Sequence, residues 1–204
     1  RIEAPAQDRA LEDPLRRGLL FAGTELGLFL SWDGGKTWSP FQLNLPVTPI
    51  TDLRVHKGNL IAATSGRSFW ILDDLSVIRQ FKPNAAAFAV YRPDNAPLVN
   101  GGSELDEADA EFTGANPFRG VNPASGIVLY YQLPELKKDE HISLEIKDAA
   151  GNLVRSFSSK ADEKYTRYDG GPRPEPLLPK AKGLNRFVWD MRYATMPGVP
   201  GVYI

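Results

Sequence analysis

Between Gly18 and Phe81 the apolar positions fall in short bursts, at residues 19–22, 28–31, 38–43, 50–55, 59–64 and 68–72, each bounded by Gly, Pro, Asn or Asp. Short runs of this kind between turn formers predict β-strands, not helices. Residues 1–17 are polar and interrupted by Pro5 and Pro14, so they read as a connection, with order expected to begin near Gly18. Sliding the chain by 40 places Leu20, Ala22, Thr24 and Phe29 on Leu60, Ala62, Thr64 and Phe69, with Phe21 opposite Ile61 and Gly23 opposite Ala63. Several strands in a unit that recurs at this period is the spacing of propeller blades.

Beyond Phe81 the texture changes. Residues 85–92 predict one more strand, and residues 93–121, rich in Gly, Asn, Asp and Glu, read as a linker or long loop. Its acids, Glu104, Asp106, Glu107, Asp109 and Glu111, lack the regular ligand spacing with a central Gly of a calcium loop, and read as a solvated charge run. Strands resume at 126–133 and 141–146. The turn at 148–152 then leads into 153–157 as a hairpin, with Gly151 or Asn152 supplying a positive φ. Residues 160–182 are rich in Pro and charge, and 183–193 return as a strand with Phe187, Trp189 and Met191 alternating on one face. Residues 201–204 look like the start of a further strand. The fold class expected is all-β: about two propeller blades in residues 1–92, a linker in 93–121, and a β-sandwich in 122–204 that is cut short at its end.

Charge and composition narrow the function classes. Lys and Arg number 24 against 25 Asp and Glu, a net charge of -1, so no long-range field favours nucleic acid as a partner. No apolar window reaches the ~18 residues of a membrane span. The absence of Cys excludes disulfides, thiolate metal sites and a Cys nucleophile. The chain begins at Arg1 without a signal-like segment, which suggests a processed or excised piece. No cofactor and no metal are expected. His56 and His141 are the only histidines and lie in different halves, so a shared metal or a Ser-His-Asp set is not foreseen.

The most specific motif is Ser31-Trp32-Asp33-Gly34-Gly35-Lys36-Thr37-Trp38, which matches S-x-D-x-G-x-T-W, the Asp box, at every defined position. Ser31 and Asp33 suit hydrogen bonds to nearby amides, Gly35 suits a conformation closed to other residues, and Trp38 is expected to be buried beneath the turn. The motif resembles the repeats of sialidases and of related BNR and VPS10-type propellers, where the box is a structural turn at the blade periphery. That resemblance makes Ser31, Asp33, Gly35, Thr37 and Trp38 structural, with no catalytic residue among them.

More widely, LLFAGTELGLFLSWDGGKTW and the run to FWILDD look like the final blades of large exported bacterial propellers, often labelled glycosyl hydrolases. NPASGIVLYYQLP, LEIKDAAGNLVRSF and GLNRFVWDMRY look like the FlgD-type, Ig-like module appended to such propellers. The resemblance implies a secreted or periplasmic home and, as partners, the remaining blades of the parent, with a carbohydrate or a peptide as ligand. A sialidase needs an arginine triad, a Tyr with an acidic partner and a further Asp, whereas Arg54 and Arg67 are the only arginines inside the repeat. A xyloglucanase-type cleft needs two opposed carboxylates, for which Glu25, Asp52, Asp73 and Asp74 are available and read as turn or strand-end acids. Trp32, Phe69, Trp70, Tyr130, Tyr131 and Trp189 serve a sugar platform only if exposed, and otherwise belong to cores. Three functions follow: a non-catalytic region closing a propeller and carrying a spacer or binding module, a part of a glycoside hydrolase, or a peptide-binding propeller of VPS10 type.

Overall fold

The computed structural model describes residues 10–82, 88–96, 124, 126–163, 165–166 and 174–194. Among these the chain is mostly strand, in antiparallel sheets, and it separates into two units, residues 1–85 and 86–204.

In the first unit, β1 (Ala10–Glu12), β2 (Leu20–Thr24), β3 (Gly27–Ser31) and β4 (Ser39–Pro40) form a four-stranded antiparallel meander. A second meander follows, of β5 (Ile50–His56), β6 (Asn59–Thr64) and β7 (Phe69–Leu72), and after it a single short helix, α1 (Ser76–Gln80). Strand residues alternate between faces. One face of the first sheet therefore carries Leu11, Phe21, Gly23, Leu28 and Leu30, and one face of the second carries Leu53, Val55, Leu60, Ala62, Trp70 and Leu72. These two faces meet in one core, in which Leu19, Phe21 and Leu30 are completely buried. Each such side chain contributes roughly 1.5–3 kcal/mol on leaving water. Gly23 lies close against β5: a Cβ there would lie 2.6 Å from Ile50 Cγ2.

The period of 40 has a structural counterpart. Gly23 pairs with Leu28 and Phe21 with Leu30, as Ala63 pairs with Phe69 and Ile61 with Ile71. The Thr24 hydroxyl donates to the Gly27 carbonyl at 3.0 Å, and the Thr64 hydroxyl donates to the Ser68 carbonyl at 2.7 Å. The second hairpin turn is one residue longer, so Phe69 stands opposite Leu28 in the repeat and not opposite Phe29, as an ungapped alignment has it.

Three expectations for this unit are corrected. The segment before Gly18 is not merely a connection, because Ala10–Glu12 pairs with β2. The strand expected at 38–43 is reduced to two residues. Past Pro40 the Phe41 amide still donates to the Leu28 carbonyl at 2.8 Å, but the Leu28 amide donates to the Gln42 side chain instead of returning to the backbone, and Gln42 in turn donates to the carbonyls of Leu45 and Pro46. The strand expected at 85–92, here β8 (Ala89–Tyr91), pairs with β9 (Ile127–Leu133) of the second unit, so the first unit ends near 85 and not at 92.

In the second unit β8, β9 and β12 (Gly183–Trp189) form a three-stranded antiparallel sheet with β9 central, and β10 (Ser143–Lys147) and β11 (Leu153–Ser158) form a hairpin. Tyr131, Leu133, Phe157, Leu178 and Phe187 make its core, with the rings of Phe157 and Phe187 edge-on at 4.7 Å. Gly151, not Asn152, takes the positive φ in the hairpin turn, and Asp148 organises it by accepting from the amides of Ala150 and Asn152. β12 stops at Trp189. Met191 has a φ of 58° and does not extend the face begun by Phe187 and Trp189. The acids at 104–111 and residues 201–204 lie outside the described residues.

Candidate functional site

The Asp-box octapeptide forms the turn from β3 to β4, and its hydrogen bonds close on themselves. Ser31, fully buried at the end of β3, donates from Oγ to Asp33 Oδ1 at 2.8 Å and accepts from the Gly35 amide at 2.9 Å. Asp33 Oδ1 also accepts from the Thr37 amide at 2.9 Å, and Asp33 Oδ2 from the Thr37 hydroxyl at 2.6 Å. Gly35 has a φ of 87°. A Cβ at that position would also stand 3.7 Å from the Trp38 ring, so the indole lies against the turn as the motif implies. Trp38 is, however, half-buried and not fully covered.

These bonds favour the ionised form of Asp33. The Thr37 hydroxyl and amide, with the Ser31 hydroxyl, hold its carboxyl down to about 2. A general acid works best with a pKa near the operating pH, and a carboxylate this acidic carries no proton to give at neutrality. A stability effect follows from the sign of the shift. Because the folded value lies below the unfolded one of about 3.9, the contribution of Asp33 is complete above that value and is lost as pH falls toward about 2. In a series of urea midpoints between those limits, Asp33→Asn should be less stable than the parent at neutral pH and should converge on it in acid. A constant difference between the two curves would show that the ionised form has no special role.

Elsewhere the residues singled out from sequence do not converge. His56 and His141 are exposed, and Arg54 and Arg67 are exposed. Asp52 lies on an exposed face of β5 and accepts from the Leu53 amide. Asp74 caps the turn before α1 by accepting from the Ser76 amide. Glu25, in the turn between β2 and β3, and Asp73, directly after β7, are exposed. No cluster of three or more potential metal ligands occurs among the described residues. Of the six aromatics, only Phe69 is exposed. Tyr131 is buried, donates to the Pro179 carbonyl at 2.6 Å, and has its phenol pushed up to about 12 by desolvation. A groove of about 50 Å³, lined by Leu28, Phe41, Leu45, Leu60 and Trp70, is apolar. It falls well short of the roughly 300–1,000 Å³ of ligand sites.

Two polar clusters escape a reading of the sequence because their partners are distant in it. In the first unit, Asp13 forms a bidentate pair with Arg79, at 2.8 Å between Oδ2 and Nη2, while Arg16 donates to the carbonyls of Ile78, Arg79 and Phe81. Together they clasp α1 to the loop between β1 and β2. In the second unit the buried Arg155 of β11 meets Glu175 at 2.7 Å and donates to the carbonyls of Arg192 and Tyr193. Both clusters are internally satisfied and serve to fasten loops. No family model, no curated protein and no solved structure matches this chain.

Proposed function

We propose that this chain is a non-catalytic region of an exported Asp-box β-propeller. Its first unit supplies two successive blades that close a ring with the remaining blades of the parent, and its second unit is an Ig-like β-sandwich serving as spacer or binding module. The observation that carries the reading is the repeated hairpin, in which Thr24 and Thr64 make the same hydroxyl-to-carbonyl bond at corresponding positions and an Asp-box turn follows the first copy. The engagement of the Asp33 carboxylate in its own turn and the scatter of the other acids support the absence of chemistry. Purified 204-residue chain should therefore turn over neither a fluorogenic sialoside nor a xyloglucan oligosaccharide above buffer rates. Turnover that a single Asp or Glu substitution abolishes would refute the proposal and make this region part of a glycoside hydrolase.

A further inference from the structure

The outer face of the second sheet is built like a face that the same chain buries. Strand pairing puts Ile61, Ala63, Phe69 and Ile71 in the places that Phe21, Gly23, Leu28 and Leu30 hold in the first sheet. In the first sheet that set is sealed by the second sheet: Phe21 and Leu30 are 0% exposed and Leu28 is 5%. In the second sheet Phe69 is 75% exposed and Ile71 60%. β7 is also an edge strand among the described residues. Large apolar side chains on an open edge strand invite association unless charge or Pro protects the edge. Here the charged residues of this face, Asp52 and Arg54, are on β5, at the opposite side of the sheet.

We infer that the face formed by Ile61, Ala63, Phe69 and Ile71 is an interaction surface for a further antiparallel sheet of the same repeat, and that a second copy of this chain occupies it when the chain is isolated. The argument is one of continuity. The existing interface joins this face of one repeat to the opposite face of the next, where Leu60, Ala62 and Trp70 lie. Residues equivalent to these on the first sheet are Leu20, Ala22 and Phe29, so each copy carries both halves of a head-to-tail contact. Of these, Leu20 and Phe29 are half-buried in the single chain and retain area to lose, while Ala22 is already buried at 4% exposure. A net charge of -1 offers little mutual repulsion between copies. The inference rests on the repeat reading made above but not on closure of a ring.

The test uses the whole chain. Sedimentation across a concentration series should show reversible association, and the double variant Phe69→Lys, Ile71→Lys should remain monomeric throughout with an unchanged circular dichroism spectrum, because both side chains already face solvent. The lack of native Cys makes Ile71→Cys a unique attachment point for a photo-crosslinker. Crosslinks to the β2–β3 hairpin of a second copy support the contact. A wild-type monomer at every concentration, association that survives the double Lys variant, or crosslinks confined to the partner's own β7 would each overturn it. A head-to-tail assembly that grows as an open stack would instead leave this inference standing and count against the ring, and turnover of a glycoside would bear on the absence of chemistry alone.

Discussion

Replacing Asp13 with alanine is expected to destabilise the first unit by about 3–5 kcal/mol, the range seen when one partner of a buried ion pair is removed. That loss is comparable with much of the ~5–15 kcal/mol that holds a typical domain together. The Asp13 side chain is completely buried and that of Arg79 is 16% exposed, so little solvent is available to take the place of the missing carboxylate. Three kinds of bond go at once. The amides of Leu15 and Arg16 lose their acceptor at 2.9 and 2.8 Å, the Arg79 guanidinium loses both carboxylate oxygens, and the helix it belongs to keeps only the Arg16 bonds as its tie to the loop after β1. Arg79→Met should also be costly, because it leaves Asp13 buried and unpaired. The double variant Asp13→Ala, Arg79→Met should lose clearly less than the sum of the two. Chemical denaturation of the four proteins measures this, and strict additivity would mean the pair is not coupled.

The same carboxylate sets a pH window. Burial acts to raise the Asp13 pKa, but the Arg79 hydrogen bond, the Leu15 amide, the Arg79 charge and the Arg16 amide together outweigh it, and the net shift is downward. A lowered folded pKa means that its stabilisation is complete above the unfolded aspartate value of about 3.9 and declines as pH falls below it toward the folded value. The deficit of Asp13→Asn relative to the parent should accordingly shrink as the pH is lowered through this range.

What the sequence reveals and what it hides divide along contact distance. The strands of both units are legible because alternation is a local signal, and the Asp-box turn is legible because Ser31, Asp33 and Thr37 bond within four residues of one another. β1 escapes because three residues beside Pro14 carry too short a pattern, and only pairing with β2 gives them an extended conformation. The clasp of Asp13 on Arg79 spans 66 positions, and nothing local in Glu12-Asp13-Pro14 announces a buried charge. Likewise residues 89–91 look like a continuation of the first half until their hydrogen bonds to Tyr130, Tyr131 and Gln132 assign them to the second. Phe69 shows the converse: its strand is legible, but its exposure depends on what covers the sheet.

The second large effect concerns Gly23, and it tests how closely the two sheets are fitted. A Cβ added there would stand 2.6 Å from Ile50 Cγ2 and 2.8 Å from Ile50 Cβ. The second of these atoms is fixed to the β5 backbone, so a rotamer change of Ile50 cannot relieve the overlap and the sheets themselves must separate. Overpacking of a filled core costs about 1–3 kcal/mol, and Gly23→Ala should fall in that range with Gly23→Val at its upper end or beyond. Ile50→Ala removes the nearer of the two clashing atoms and should restore part of the stability in the Gly23→Ala background, although it is destabilising alone. Ala63 provides the control, since it holds the equivalent place in β6 and faces the side on which no sheet lies among the described residues. Ala63→Val should change the stability of the dilute chain by no more than about 0.5 kcal/mol, as for an ordinary surface substitution. It should nevertheless weaken the self-association attributed to the Phe69 and Ile71 face, because a bulky residue there opposes close approach of the next sheet as it would at Gly23. Equal stability losses for Gly23→Val and Ala63→Val, read from urea midpoints, would show that the two positions are not distinguished by a sheet packed on one and absent from the other.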